Sequence, residues 1–268
     1  MYGKSAYLLL QFLLIFFSLG NSSCSKPGEK QLALASSLAF KGEYTKAVQA
    51  YDAALNKLPK AAYYQRVSAN LRAGELSRLF LKDYRRAISY FRKVRELDKG
   101  ELGFKARVAI AEIMRFDLGD IRAAIVEYQN LVKAYPGHPN LANYQLEISR
   151  CYNSIGDHRQ ARVEAEVVRK RYKGTRLEQQ AVILIADSLS LDGNTRAAIK
   201  EYEGFLKRFP DSRYIADVAF SLANCYEDLG ESDLAQTRLA EIAAKIRNPK
   251  MIEKKMQRIK ARARNMGR

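Results

Sequence analysis

The sequence predicts an all-α chain built as a stack of about six helix–turn–helix units and closed by a C-terminal helix. Three observations carry this. Gly119, Gly156, Gly193 and Gly230 recur every 37 residues, and an alanine follows each by five positions (Ala124, Ala161, Ala198, Ala235). The 268 residues hold only 15 Gly and 6 Pro, and Ala, Leu, Lys, Arg and Glu are abundant, which favours helix over strand. Near the end, Ile252, Met256, Ile259 and Ala263 fall at i, i+4, i+7 and i+11, one face of a helix.

Each element follows from this register. In the first unit Gly42 marks a turn, Ala47 a close helix contact, Tyr51 the same face one turn on, and Pro59 the stop. The second unit keeps Ala87 and Phe91 but carries Lys82 where the glycine belongs, so Arg78–Asp83 reads as a longer turn. The third has Gly119, Ala124, Tyr128 and Pro136; the fourth has Gly156, Ala161 and Ala165. The fifth has Gly193, Ala198, Tyr202 and Pro210, with Asp211 and Ser212 placed as caps for the next helix. The sixth has Gly230, Ala235 and Leu239. A glycine at φ > 0 stops one helix, and the alanine lets the next approach it closely. Such a unit cannot bury both faces alone, so neighbours must stack.

This spacing resembles the tetratricopeptide repeat, without that family's Trp and with three residues beyond its usual 34. The resemblance implies a right-handed α-solenoid over 31–247, with 248–268 as a basic capping helix and tail. It also implies a non-catalytic scaffold whose first helices line a concave face that receives partner segments.

Residues 1–23 carry one charge, Lys4, and an apolar run of about a dozen residues from Leu8 to Leu19, too short to span a bilayer core. This is the layout of a secretory signal peptide. With Cys24 directly after Gly20–Ser23 it is similar to a bacterial lipoprotein signal, although Asn21 stands where a Leu-like residue is usual. Plain secretion and an uncleaved anchor remain the alternatives. Lipidation at Cys24 would anchor the chain stably. Ser25 in the sorting position points by the same resemblance to the periplasmic face of the outer membrane, and a soluble periplasmic form is the alternative. Residues 24–30 form a short linker that would hold the stack close to that membrane.

The chemistry of common enzymes is missing from the sequence. It contains no G-x-x-x-x-G-K-[ST], G-x-S-x-G or H-E-x-x-H, and its two histidines, His138 and His158, are expected at opposite ends of one helix, too far apart to share a metal. No cofactor, metal or catalytic residue is expected. Cys151 and Cys225 lie 74 residues apart, two periods, so they occupy equivalent places and read as buried thiols rather than a disulfide.

The net charge is +17, and the segment from Lys245 to Arg268 holds ten Lys/Arg against one acid, Glu253. Lys254, Lys255, Arg258 and Arg262 would form the exposed basic surface of the capping helix. That surface serves either as a solubilising cap or as a contact for anionic lipid or cell-wall material, and nucleic acid is the least favoured partner.

A binding groove is expected on successive first helices. Leu146, Ile183 and Phe220 form an apolar row at the 37-residue spacing, flanked by Arg150, Asn153, Asp187, Asn224 and Glu227. The competing reading packs the three apolar residues against the adjacent helix. The function expected is a scaffold that helps assemble an envelope complex, of the kind serving outer-membrane protein assembly. Alternatives are a cell-wall-associated, pilus or secretion accessory and a glycan-binding module.

Overall fold

The computed structural model describes residues 26–244 and 249–266, and of these the side chains of all but 251 and 262–266. Among the described residues there are helices and no strands. The chain divides into two compact units, one ending at Ala62 and one beginning at Tyr63.

The first unit holds one hairpin, α1 (Glu29–Phe40) and α2 (Tyr44–Lys57). Helix α1 starts at Glu29, two residues earlier than the sequence suggests, straight after Pro27–Gly28. The chain reverses at Gly42, whose φ of 78° is the left-handed conformation. Ala35 on α1 and Ala47, Val48, Tyr51 and Ala54 on α2 are buried where the two helices pack, all at or near zero exposure. Helix α2 ends two residues before Pro59, as the ring requires.

The second unit begins with the hairpin α3 (Tyr63–Leu79) and α4 (Tyr84–Leu97). Then come α5 (Glu101–Glu112) with a terminal π-helical turn (Ile113–Asp117), and α6 (Ile121–Ala134). The hairpins α7 (Leu141–Ser154) with α8 (His158–Arg171) and α9 (Arg176–Leu191) with α10 (Thr195–Arg208) follow. The last elements are α11 (Ile215–Asp228), α12 (Ser232–Ala243) and α13 (Lys250–Met266). Within the second unit consecutive helices pack against each other, and α7 also packs on α9, α9 on α11 and α11 on α13. Odd-numbered helices up to α11 are therefore the first helices of the hairpins, and α13 stands alone as the cap.

The register predicted from the sequence is the register of the core. Ala87, Ala124, Ala161, Ala198 and Ala235 are fully buried, as are the residues one turn on, among them Phe91, Tyr128, Ala165, Tyr202 and Leu239. Lys82 takes the glycine's place and its conformation, at φ 55°, strained for a residue with a Cβ. Aspartates at the turns fix the second helices. Asp83, Asp120 and Asp157 each accept a hydrogen bond from the backbone N–H three residues on, at 2.9–3.0 Å.

Two local expectations are corrected. Asp211 and Ser212 do not cap α11, which starts at Ile215; Ser212 Oγ accepts from the Tyr214 N–H and donates to Gln179 Oε1 at 2.8 Å, closing a turn before the helix. His138 and His158 flank α7 rather than lie on it. His138 stacks on Phe104 with ring centroids 3.6 Å apart, and His158 opens α8. The α4–α5 junction has its own polar centre. The buried Asp98 carboxylate accepts from Tyr63 Oη and from the N–H groups of Gly100 (2.6 Å) and Gly103 (3.1 Å). The tyrosine hydrogen bond, helped by the two backbone donors against burial, holds it below the usual carboxylate range.

The capping helix takes its predicted role. Ile252 and Ile259 are buried and Met256 half-buried in the core of α9 to α12, so this apolar face closes the stack.

Candidate functional site

Polar side chains link the first helices of the second unit into a ladder. Arg78, at the end of α3, donates to Glu112 (3.0 Å) on α5 and Asp117 (2.8 Å) in the π-helical turn. Arg115 in that turn donates to Glu147 on α7, whose other oxygen accepts from Arg150 at 2.6 Å. Asn153 donates to Ser188 Oγ on α9 at 2.8 Å. On α9, Asp187 accepts from Tyr202 Oη at 2.5 Å; burial raises its pKa against the opposing pull of that hydrogen bond and of Arg150. Lys255 of α13 donates to Asn224 (2.7 Å) and to Glu227 on α11. Most of these are half-buried, so removing one partner of a rung would cost more than breaking a surface pair.

This arrangement redistributes the predicted groove. Leu146 is 1% exposed and sits in the core among Ala142, Ala165, Val168, Ala181 and Ile185. It faces α8 and α9, so it is a packing residue and not part of an open surface. Ile183 and Phe220 are half-buried against the C-terminal core. Arg150, Asn153 and Asp187 are held by ladder contacts, and the capping helix reaches Asn224 and Glu227.

The predicted basic surface is similarly split. Lys254 and Arg258 are exposed, but the Lys255 side chain, 18% exposed, turns inward to Glu227 and leaves that surface. The Arg262 side chain and Cys24 lie outside the described residues. Cys151 and Cys225 are free, buried thiols on α7 and α11, and burial pushes both up. Among the described residues no group of three His, Cys, Asp or Glu could hold a metal ion, and no helix is long and apolar enough to cross a membrane.

The same face is open at its other end, where the sequence reading named no residue. Phe116 is 65% exposed and Leu79 51%, with Phe80 and Leu118 also exposed beside them in the turns. The Arg115 guanidinium lies 4.6 Å from the centroid of the Phe116 ring. A signal for these was available. Counting back 37 residues from the groove position Asn153 gives Phe116, and 37 more gives Leu79.

Residues 105–138 and 180–212 each match the tetratricopeptide-repeat family model. Over these two stretches the chain is similar to tetratricopeptide repeats. Each matched stretch runs from a first helix through its glycine turn and second helix to the following junction. No curated protein matches the chain. Among solved structures, a tetratricopeptide repeat protein from Parabacteroides merdae is similar in fold, at 14% identity over 87% of both chains with a TM-score of 0.56. The apo form of RapI is similar at 13% identity over 89% of this chain and 72% of that one, with a TM-score of 0.58. PilW, described as a widely conserved type IV pilus biogenesis factor, matches at 16% identity over 81% of this chain and 92% of its own, with a TM-score of 0.50. At these identities the likeness is one of fold.

Proposed function

We propose that the chain is a non-catalytic scaffold, anchored through an acylated Cys24 to the periplasmic face of the outer membrane, that helps assemble an envelope complex. One observation carries the scaffold reading. Two large apolar side chains, Leu79 and Phe116, occupy equivalent places on neighbouring first helices and stand exposed, where packing of the stack does not use them. Exposed apolar groups flanked by paired arginines suit a partner segment laid along the repeat face. Glycan binding is less favoured, because Tyr51, Tyr128 and Tyr202 are buried in packing positions instead of lining a groove. The signal ending Gly20–Cys24 supports the anchor. The PilW likeness supports pilus or secretion accessory work as the alternative machine.

Affinity capture from detergent-solubilised envelope tests this, comparing the wild type with Leu79→Ser/Phe116→Ser and with an Arg258→Ala control. Proteins retained by the wild type and the control but lost by the double variant are the expected result. Identical capture by all three would remove the scaffold face. Mass spectrometry of the same preparation should find an acylated cysteine at the mature N-terminus, and an unmodified N-terminus elsewhere would remove the anchor.

A further inference from the structure

A separate surface lies on α8 and the junctions that follow α8 and α10. Val163, Val167, Lys170 and Arg171 are exposed at i, i+4, i+7 and i+8, so they share one outward stripe of α8. Beyond the helix, Lys173 and Arg176 continue the charge, and no acid occurs between residues 167 and 177. The next junction adds exposed Lys207 and Arg213 against a single acid, Asp211.

The two junctions are tied together. Glu178, 1% exposed, accepts from Arg208 and from the Gly174 N–H, so the α8–α9 loop is fastened to the end of α10. That contact neutralises the buried acid. Of the exposed cations Lys170 also faces Glu166 at 3.8 Å, whereas Arg171, Lys173 and Arg176 have no acid at ion-pair distance among the described residues. Beside them, between α6, α7 and α8, is an apolar slot of about 160 Å³ lined by Val132, Pro136, Leu141, Val167, Arg171 and Tyr172.

We propose that this stripe and its junctions dock on an anionic phospholipid surface. Clustered cations account for attraction to negative headgroups. The exposed valines and the slot add apolar contact at the headgroup–acyl boundary, the combination that interfacial helices use. Nucleic acid fits less well, because bases need free aromatic faces. Arg171 lies over Tyr172, and Arg176 and Arg213 lie over Tyr214, with guanidinium-to-centroid distances of 5.0–5.9 Å. The proposal is independent of Cys24 acylation and of the Leu79–Phe116 face.

The test uses the full chain carrying Cys24→Ala, co-sedimented with phosphatidylcholine vesicles with and without phosphatidylglycerol. Binding that requires phosphatidylglycerol and weakens with salt is expected. Lys170→Gln/Arg171→Gln/Lys173→Gln/Arg176→Gln should lower it roughly tenfold or more. Val163→Ser/Val167→Ser should lower it several-fold with the charge unchanged. Lys254→Gln/Arg258→Gln/Lys260→Gln on α13 should change it less than about twofold, a comparison that separates this surface from net charge. The proposal is overturned if the α8 charge variant binds like the wild type, if the α13 variant loses as much, or if the valine variant is unaffected. It is overturned in favour of nucleic acid if a labelled oligonucleotide displaces the vesicles from both the wild type and the valine variant.

Discussion

The two ends of the first-helix face in the second unit share a register but not a fate. At α3 and α5 the positions equivalent to Asn153 carry Leu79 and Phe116, and both are exposed. At α11 the same position is Glu227, which is held by Lys255 of the capping helix. The middle is different again. Two turns earlier on α7, Leu146 is buried because α8 and α9 converge on it. A repeat position therefore does not define a surface or a core by itself. In the second unit each first helix packs on its own second helix, but only α7, α9 and α11 pack closely on the next odd-numbered helix. The approach of that neighbour decides which apolar side chain stays open. The cap removes the last positions from any partner.

The largest expected effect sharpens this contrast directly. Leu146→Ala should destabilise the chain by about 2–5 kcal/mol as a cavity mutation, whereas Leu79→Ala should stay within about 0.5 kcal/mol. Urea titrations of both variants check it, and similar losses in the two would erase the distinction between the ends of the face. Next in size is the cap contact. Lys255→Ala removes a charged donor from the half-buried Glu227 and the exposed Asn224 and should cost on the order of 1–3 kcal/mol, read from the same titrations. A neutral result would mean that α13 closes the stack through Ile252, Met256 and Ile259 alone.

The smallest effects concern two aspartates with shifts of opposite sign, and they are read by thermal unfolding against pH. Asp98 is held low by Tyr63 and the Gly100 and Gly103 N–H groups, so its stabilisation is present above the ordinary carboxylate range and is lost as pH falls through its lowered value. Asp98→Asn should therefore lower the melting temperature at neutral pH, by an amount that shrinks in acid. Asp187 is raised by burial, so its stabilising contribution is present below the ordinary carboxylate value and is lost as pH rises through the raised one. Asp187→Asn should raise the melting temperature at neutral pH, and the gain should fade as pH falls to the ordinary carboxylate range. The same sign at both positions would contradict these assignments.

The sequence made the repeat legible because its demands are backbone demands. A turn that needs positive φ and a helix contact that needs alanine leave a mark every 37 residues, clear enough that even Lys82 was placed at the turn. The capping helix was legible for a related reason, since Ile252, Met256 and Ile259 form one stripe with a single neighbour to meet. The site was less legible. Leu146 and Phe220 share one spacing, and only the geometry of α8 and α9 buries the first more deeply. Lys255 looked like its exposed neighbours until α13 was set against α11. The π-helical turn at Ile113–Asp117 has no counterpart in the equivalent stretches of α7, α9 and α11, and nothing in its residues announces it.

The glycine turns have a practical consequence. A Cβ added at Gly119, Gly156, Gly193 or Gly230 would meet no heavy atom within 4 Å, so the backbone angle alone, not crowding, reserves these places for glycine. Lys82 shows that a side chain can be carried there at some strain. These exposed tips are thus natural points for grafting an epitope or fluorophore into the second unit, one per hairpin, at a distance in sequence from the buried alanine contacts. Labels spaced 37 residues apart would act as evenly placed marks for following how the repeats separate under force or denaturant.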